Sequence, residues 1–172
     1  MAKIYFAALW LMLVAAGGQA HDGRVNITGV INDNTCTLSP DSQNFTVKLG
    51  SVSNRQFYHA GDGSAWQAFT LDLQNCGSTA SGVTVSFSGQ TDRFNADLLA
   101  LDGGADSASG VGIAIYNADK TPIAPGDMSE LLALLPGESS VQLRFYARYV
   151  ADGSVVSAGE ANATATFILT YA

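Results

Sequence analysis

The sequence predicts an all-β sandwich or barrel, and three observations support that class. Apolar and polar residues alternate in a series of short stretches, a period of two that is typical of strands with one buried face. Clusters of Gly, Asn, Asp and Ser separate these stretches, as turns do. Apolar residues make up 47% and charged residues 13% of the 172-residue chain, which excludes a disordered protein. This length fits one domain.

Residues 1–20 have the pattern of a secretory signal peptide. Lys3 precedes an apolar run over 4–16, and the small residues Gly18 and Ala20 mark a cleavage site. A transmembrane helix is the alternative, but this run is short for about 30 Å of hydrocarbon and no charge cluster follows it. We therefore expect a mature chain that begins near His21.

Two cysteines, Cys36 and Cys76, remain in the exported chain. Because exported proteins fold in oxidising compartments, we expect a disulfide between them, with two buried free thiols as the alternative. Closing a loop of about 40 residues stabilises a fold by about 4 kcal/mol in the loop-entropy model.

The alternating stretches predict strands along the whole mature chain. A parity change at Ala68–Phe69 predicts a β-bulge, and residues 130–135, which end before Pro136, are the helical candidate. The predicted strands are 24–32, 44–49, 66–76, 83–87, 111–115, 141–149 and 163–171.

Both ends of the mature chain read as strands, although chain termini usually fray unless they are tied down. Two end segments, together with three internal ones, resemble the subunits of chaperone–usher pili. The segments are Val25-Asn26-Ile27-Thr28-Gly29-Val30-Ile31-Asn32-Asp33-Asn34-Thr35-Cys36, Phe69-Thr70-Leu71-Asp72-Leu73-Gln74-Asn75-Cys76, Gly110–Ile115, Phe145–Tyr149 and Ala163–Tyr171, with a tyrosine at the penultimate position.

The resemblance implies an incomplete immunoglobulin-like sandwich that lacks its last strand, preceded by an N-terminal donor-strand extension. It divides the chain into a signal peptide (1–20), the extension (21–34) and a pilin domain (35–172). Such an extension adds to a neighbouring subunit as a strand, a known mode of recognition. The implied donor residues are Val25, Ile27, Gly29 and Ile31, and the implied acceptor-groove and chaperone-contact residues are Ala163, Ala165, Phe167, Leu169 and Tyr171.

The resemblance also implies partners and a location: a periplasmic pilus chaperone, an outer-membrane usher, neighbouring pilin subunits, and export through the periplasm into a surface pilus. Segments 44–47, 95–101 and 108–113 are most similar to a minor tip adaptor involved in adhesion. A major rod-forming pilin is the alternative. A sugar-binding adhesin is disfavoured, because only about 15 residues precede Cys36 in the mature chain, too few for a lectin domain.

Composition argues against other classes of function. With 15 acidic and 8 basic residues, the chain has no basic patch for nucleic acid. It has no Gly-x-Ser-x-Gly elbow, and Asp102–Asp106 reads as a turn because it lacks the acidic spacing of a calcium loop. We therefore expect no enzyme activity, no metal or other cofactor and no small-molecule substrate.

Overall fold

A computed structural model describes residues 26–31 and 33–172 of the chain. The chain divides into two units, residues 1–31 and 32–172. In the first unit, residues 26–31 are exposed and have no regular secondary structure. The predicted donor residue Val25 and the predicted signal peptide lie outside the described residues.

The second unit is built from strands in two antiparallel sheets. The strands are β1 (Thr37–Leu38), β2 (Gln67–Gln74), β3 (Gly82–Gly89), β4 (Val111–Tyr116), β5 (Pro122–Ile123), β6 (Leu132–Ala133), β7 (Ser140–Ala151) and β8 (Ala165–Tyr171). The five-stranded sheet has the order β1-β2-β7-β4-β5, and the three-stranded sheet has the order β6-β3-β8. Short helical turns precede β2 at Pro40–Gln43 and Asn54–Gln56.

The core lies between the two sheets, and the alternation of the sequence places it there. Because successive side chains of a strand point to opposite faces, each strand contributes every second residue. Burying each of the larger apolar side chains contributes roughly 1.5–3 kcal/mol. Fully buried side chains from both sheets meet there: Leu71 and Leu73 of β2, Val83 and Val85 of β3, and Leu143 and Phe145 of β7.

A disulfide joins Cys36 to Cys76, with an S–S distance of 2.07 Å across a sequence separation of 40 residues. Cys36 directly precedes β1 and Cys76 follows β2, so the bond fastens the start of the domain to the β1–β2 pair. Backbone bonds reinforce this corner, because the amide of Gly77 donates to Thr35 and that of Thr79 donates to Asp33.

The sequence prediction was wrong for residues 44–49, which form no strand. The apolar alternation is still visible in burial, since Val47 and Leu49 are half-buried whereas Thr46 and Lys48 are exposed. A strand also needs a hydrogen-bonded neighbour, and residues 45–52 make no backbone hydrogen bond to any other described segment.

The predicted bulge at Ala68–Phe69 is absent, because β2 pairs with β7 in continuous register from Gln67 to Gln74. Trp66 precedes the strand and lies with Tyr116 on the outer face of the five-stranded sheet, where their rings are 4.5 Å apart. The change of parity in the sequence therefore arises because Trp66 lies on the outer face of the sheet, directly before a strand whose alternate apolar side chains face the core.

The helical candidate at 130–135 is also wrong. Leu132 and Ala133 pair with Val83 and Gly82 as β6, and Leu134 is buried in the core. A short segment beside an open sheet edge gains backbone hydrogen bonds from pairing, and these outweigh a weak local helix preference. No helix in the described part of the chain is long and apolar enough to cross a membrane.

Candidate strand-acceptor groove

β8 lies at an edge of the three-stranded sheet, and β3 is its only partner among the strands of residues 33–172. Its register with β3 is regular from Gly89↔Ala165 to Val83↔Tyr171. An unpaired strand edge offers a row of N–H and C=O groups to any chain that can add beside it.

The alternation of hydrogen-bonded pairs between β8 and β3 shows which residues of β8 direct their N–H and C=O groups to the open edge. The amide of Ala172 donates to the carbonyl of Gly82 at 3.0 Å, which identifies 172 and 82 as a hydrogen-bonded pair. In antiparallel sheets such pairs alternate with non-hydrogen-bonded ones. Thr166, Ile168 and Thr170 therefore bond to β3, and the amides and carbonyls of the odd-numbered residues face the open edge.

The odd-numbered side chains of β8 point toward the core, yet they are incompletely covered. Phe167, Leu169 and Tyr171 pack against the core but are only half-buried, and Ala165 is exposed. Ala163 lies before the strand, is half-buried and also packs on the core. These are the residues that the sequence predicted for an acceptor groove.

Aromatic rings form the floor of this groove. Phe45 stacks on Phe69 with ring centroids 5.9 Å apart, Phe69 contacts Phe87 at 6.0 Å, and Phe87 contacts Phe167 at 6.3 Å. Phe69 is half-buried, although Leu71 on the same face of the same strand is fully buried. The ring of Phe69 thus remains accessible between Phe45 and Phe167, whereas the neighbouring ring of Phe87 is buried.

The wall opposite β8 is the unpaired segment 45–52. At one end of the groove, Gly50–Val52 and Ala161–Asn162 line the same cavity of about 380 Å³, together with Phe57 and Tyr149. The Tyr149 hydroxyl donates to the carbonyl of Ala161 at 2.9 Å, and burial raises the pKa of this phenol. This hydrogen bond therefore holds residues 161–162, which lead into β8, in place, while the groove beside β8 stays open.

The other end of β8 is anchored by Tyr171, whose hydroxyl donates to the carbonyl of Cys36 at 3.1 Å. Burial raises the pKa of Tyr171 above its ordinary value of 10.0. A raised phenol pKa means that the neutral form stabilises the fold below pH 10.0, and that this contribution is lost as pH rises through the folded-state pKa.

We expect Tyr171→Phe to lower the free energy of unfolding by about 1 kcal/mol, the usual net value of one hydrogen bond. The variant should also lose less stability than the wild type as pH rises above 10.0, because the half-buried phenol that ionises in the wild type is absent. Urea unfolding at neutral and alkaline pH measures both effects. Tyr58→Phe is the control, since Tyr58 is exposed; equal behaviour of the two variants would contradict the anchoring role.

Of the predicted donor residues, Ile27, Gly29 and Ile31 lie in the described segment 26–31. Both isoleucines are almost fully exposed, and no atom of the described chain lies within 4 Å of the position that a Gly29 side chain would occupy. These residues share one parity, so an extended conformation would place them on one face.

Sequence reasoning missed Phe45, Phe57 and Phe69 as groove residues. In the sequence, Phe69 is an ordinary inward-facing residue of its strand. Its place in the groove is visible only in the structure, where its ring is half-exposed. The aromatic Phe45 at the start of an alternating stretch was the available signal, but a strand prediction does not tell which strand its side chains face.

Comparison with known proteins shows which family the chain belongs to. The family model for fimbrial proteins matches residues 25–172. The chain belongs to the fimbrial protein family. This fimbrial protein is 38% identical to the S-fimbrial protein subunit SfaG of Escherichia coli O6:K15:H31, with 86% of this chain and 82% of that one covered.

A second relative is the probable major fimbrial subunit LpfA of Escherichia coli O157:H7, which is 37% identical over 99% of this chain and 97% of its own. Among solved structures, this fimbrial protein is similar to a chain in the structure of a chaperone–usher pilus, with a TM-score of 0.66, 25% identity, and 87% and 95% of the two chains covered. The fold is thus the immunoglobulin-like fold of pilins, and the relatives are structural subunits rather than enzymes.

Proposed function

We propose that this fimbrial protein polymerises by donor-strand exchange, with its own residues 21–34 completing the groove of a neighbouring subunit. The observation that carries the proposal is the groove itself. The free backbone edge of β8 and the unpaired segment 45–52 lie on either side of Phe69, a half-exposed core ring that no strand of the described residues covers.

The extension has the chemistry that this groove requires. Val25, Ile27 and Ile31 present aliphatic side chains on one parity, and burying three of them contributes roughly 5–9 kcal/mol before ordering costs. Backbone bonds to the free edge of β8 would fix the register. Because no covalent bond is made or broken, strand addition accounts for assembly without catalysis.

Before assembly the same groove needs a temporary cover, since an open apolar edge favours aggregation. A periplasmic chaperone supplies that cover by adding a strand beside β8. An outer-membrane usher then presents the next subunit, whose extension replaces the chaperone strand. The final location is then the extracellular pilus.

Two positions in the pilus fit this mechanism. Similarity to a probable major fimbrial subunit over nearly the whole chain favours the repeated subunit of the rod, which we propose. The resemblance of segments 44–47, 95–101 and 108–113 to a minor tip adaptor favours the second candidate. The number of copies in purified pili distinguishes many per pilus from about one per tip.

Deleting residues 21–31 from the mature chain tests the mechanism. The deletion ends at the boundary between the two units, so Asp33 keeps its bond to Thr79. We expect chaperone capture to persist, because β8 and segment 45–52 are intact, whereas addition to a preceding subunit fails.

Co-purification with the chaperone and pilus assembly can be measured in one strain, with Asn26→Ser and Thr28→Ser on the opposite parity as the control. Loss of chaperone capture by the deletion variant would show that this segment is an internal strand of the domain. Normal assembly by the variant would show that the segment is no donor.

A further inference from the structure

Basic and aromatic side chains share the outer face of the five-stranded sheet, the face that points away from the core. On β7, Arg144, Tyr146 and Arg148 alternate with the core residues of the same strand. Lys120 approaches from the turn between β4 and β5, and its ammonium lies 5.2 Å from the centroid of the Trp66 ring. Three of the chain's eight basic residues therefore lie on one face of a protein whose formal net charge is −7. We call these five residues the basic cluster.

The guanidinium group of Arg148 is held in a fixed position within the cluster. Its Cζ atom lies 4.1 Å from the centroid of the Trp66 ring, and its Nε donates to the hydroxyl of Tyr116 at 3.2 Å. A Cβ atom at position 63 would stand 2.5 Å from Nη1, so the missing side chain of Gly63 makes room for this group. Nε is the one nitrogen of this guanidinium that donates to another described residue, and the two Nη nitrogens are accessible to solvent.

The positive charges at this site have no carboxylate partner among the described residues. Neither Lys120 nor Arg148 forms an ion pair there. The adjacent loops carry Asp119 and Asp62, but these carboxylates bind groups of their own loops. Asp119 accepts the amide and the hydroxyl of Thr121 at 2.8 and 2.7 Å, and Asp62 accepts two backbone amides at 2.8 Å. The cluster therefore presents positive charge that an anionic ligand can neutralise.

The backbone of Lys120 is unusual, because its φ angle of 71° lies in the left-handed region. Residues other than glycine, asparagine and aspartate rarely adopt this conformation, in which Cβ lies too close to the backbone. Among the residues that the structure describes, Asn75 is the only other non-glycine residue with a positive φ. A lysine at this position thus costs local stability, and such strained residues cluster at functional sites.

The cluster combines chemical features that match an acidic sugar. The free end of the Arg148 guanidinium has the fork geometry that binds a carboxylate or sulfate through two hydrogen bonds. The half-buried rings of Trp66 and Tyr146 offer apolar surface beside it, and the exposed ammonium of Lys120 lies 5.8 Å from the Tyr146 ring centroid. An acidic sugar has both an oxyanion and an apolar face of C–H bonds, whereas an acidic peptide side chain carries its oxyanion on a flexible stem.

We propose that the basic cluster is a binding site for acidic polysaccharides. Arg148 binds a carboxylate or sulfate, the rings of Trp66 and Tyr146 contact the sugar, and the exposed side chains of Lys120 and Arg144 bind further anionic groups along the polymer. The site uses no residue of the acceptor groove, so the proposal is independent of donor-strand exchange. In a polymer of this subunit, repetition of a weak site multiplies its avidity.

Binding of the mature chain to immobilised hyaluronan and dextran sulfate tests the site, because the first polymer carries carboxylates and the second carries sulfates. Uncharged dextran and polyglutamate are the comparison ligands. Arg148→Lys keeps the charge and removes the fork. Lys120→Asn removes a charge, and because asparagine favours the left-handed region this variant should melt no lower than the wild type. Arg93→Gln is the matched control, since Arg93 also lies over a ring, that of Phe94 at 4.4 Å, outside both sheets.

We expect the wild type to bind the acidic polysaccharides more tightly than polyglutamate, to bind them less tightly as salt increases, and not to bind dextran. Arg148→Lys should weaken this binding about tenfold and Lys120→Asn about threefold, whereas Arg93→Gln leaves it unchanged. Binding to one of the two polysaccharides alone would support the site and identify its oxyanion.

Absence of binding by the wild type would overturn the proposal, as would equal weakening by Arg93→Gln. Unchanged binding by Lys120→Asn, which should fold even if Arg148→Lys does not, would also overturn it. Tighter binding to polyglutamate would assign the cluster to an acidic peptide instead, and equal binding to dextran would show that the charges take no part.

Discussion

A peptide of residues 21–34 should raise the melting temperature of the domain that lacks residues 21–31 by about 10 °C or more. Burial of three aliphatic side chains contributes roughly 5–9 kcal/mol, and ordering the peptide removes part of that gain. A remainder of a few kcal/mol corresponds to a shift of about this size for a domain of this length.

The control peptide carries serine in place of Ile27 and Ile31, which keeps the backbone groups and removes most of the apolar surface. Calorimetry with each peptide in excess measures the two shifts. A stable domain whose melting temperature responds to neither peptide would show that its fold is already complete.

Replacing Gly29 by leucine should impair donation without affecting the domain that carries it. No atom of the described residues lies within 4 Å of the position of the missing side chain, and residues 26–31 are exposed, so we expect the substitution to leave the stability of the variant's own domain unchanged. A glycine inside a strand often marks a bulge, a bend or the close approach of another backbone, and we interpret Gly29 as the last of these. Overpacking that approach costs about 1–3 kcal/mol, or a loss of roughly 5-fold to 150-fold in the equilibrium constant of the assembled pair.

Thr28→Leu is the matched control for Gly29→Leu. It adds a similar side chain one residue away on the opposite parity, where the groove is not contacted. Melting curves of both domains, complemented with wild-type peptide, should coincide with the wild type, while only the Gly29 variant exchanges poorly. A destabilised Gly29→Leu domain would place this residue inside its own fold, and normal donation would remove Gly29 from the donor face.

The strands that could be predicted from the sequence are those whose alternation is long and whose partners lie within the chain. β3, β7 and β8 were predicted to within a few residues, because period two over a buried face leaves little choice of structure. Segment 44–49 alternates equally well and forms no strand. Alternation indicates which side chains favour burial, whereas a strand also requires a neighbouring strand for its backbone hydrogen bonds.

The same distinction applies to the site. The sequence predicts that Phe167, Leu169 and Tyr171 share the inward face of β8, and their place in an acceptor groove stays a prediction. It does not indicate that Phe69 is half-exposed, since that exposure depends on whether a further strand packs above the ring. Residues 132–133 show the opposite behaviour. Their sequence has no strand pattern, yet they form a strand because they pair with the edge of β3.

Amide hydrogen exchange along β8 tests the central claim most directly, in the complex of the domain with the peptide of residues 21–34. Thr166, Ile168 and Thr170 bond to β3 and should be protected with or without the peptide. Phe167, Leu169 and Tyr171 face the open edge, so their amides should exchange rapidly in the free domain and become protected when the peptide adds as a strand. Peptide binding that leaves these three odd-numbered amides exchanging as fast as before would contradict strand addition beside β8.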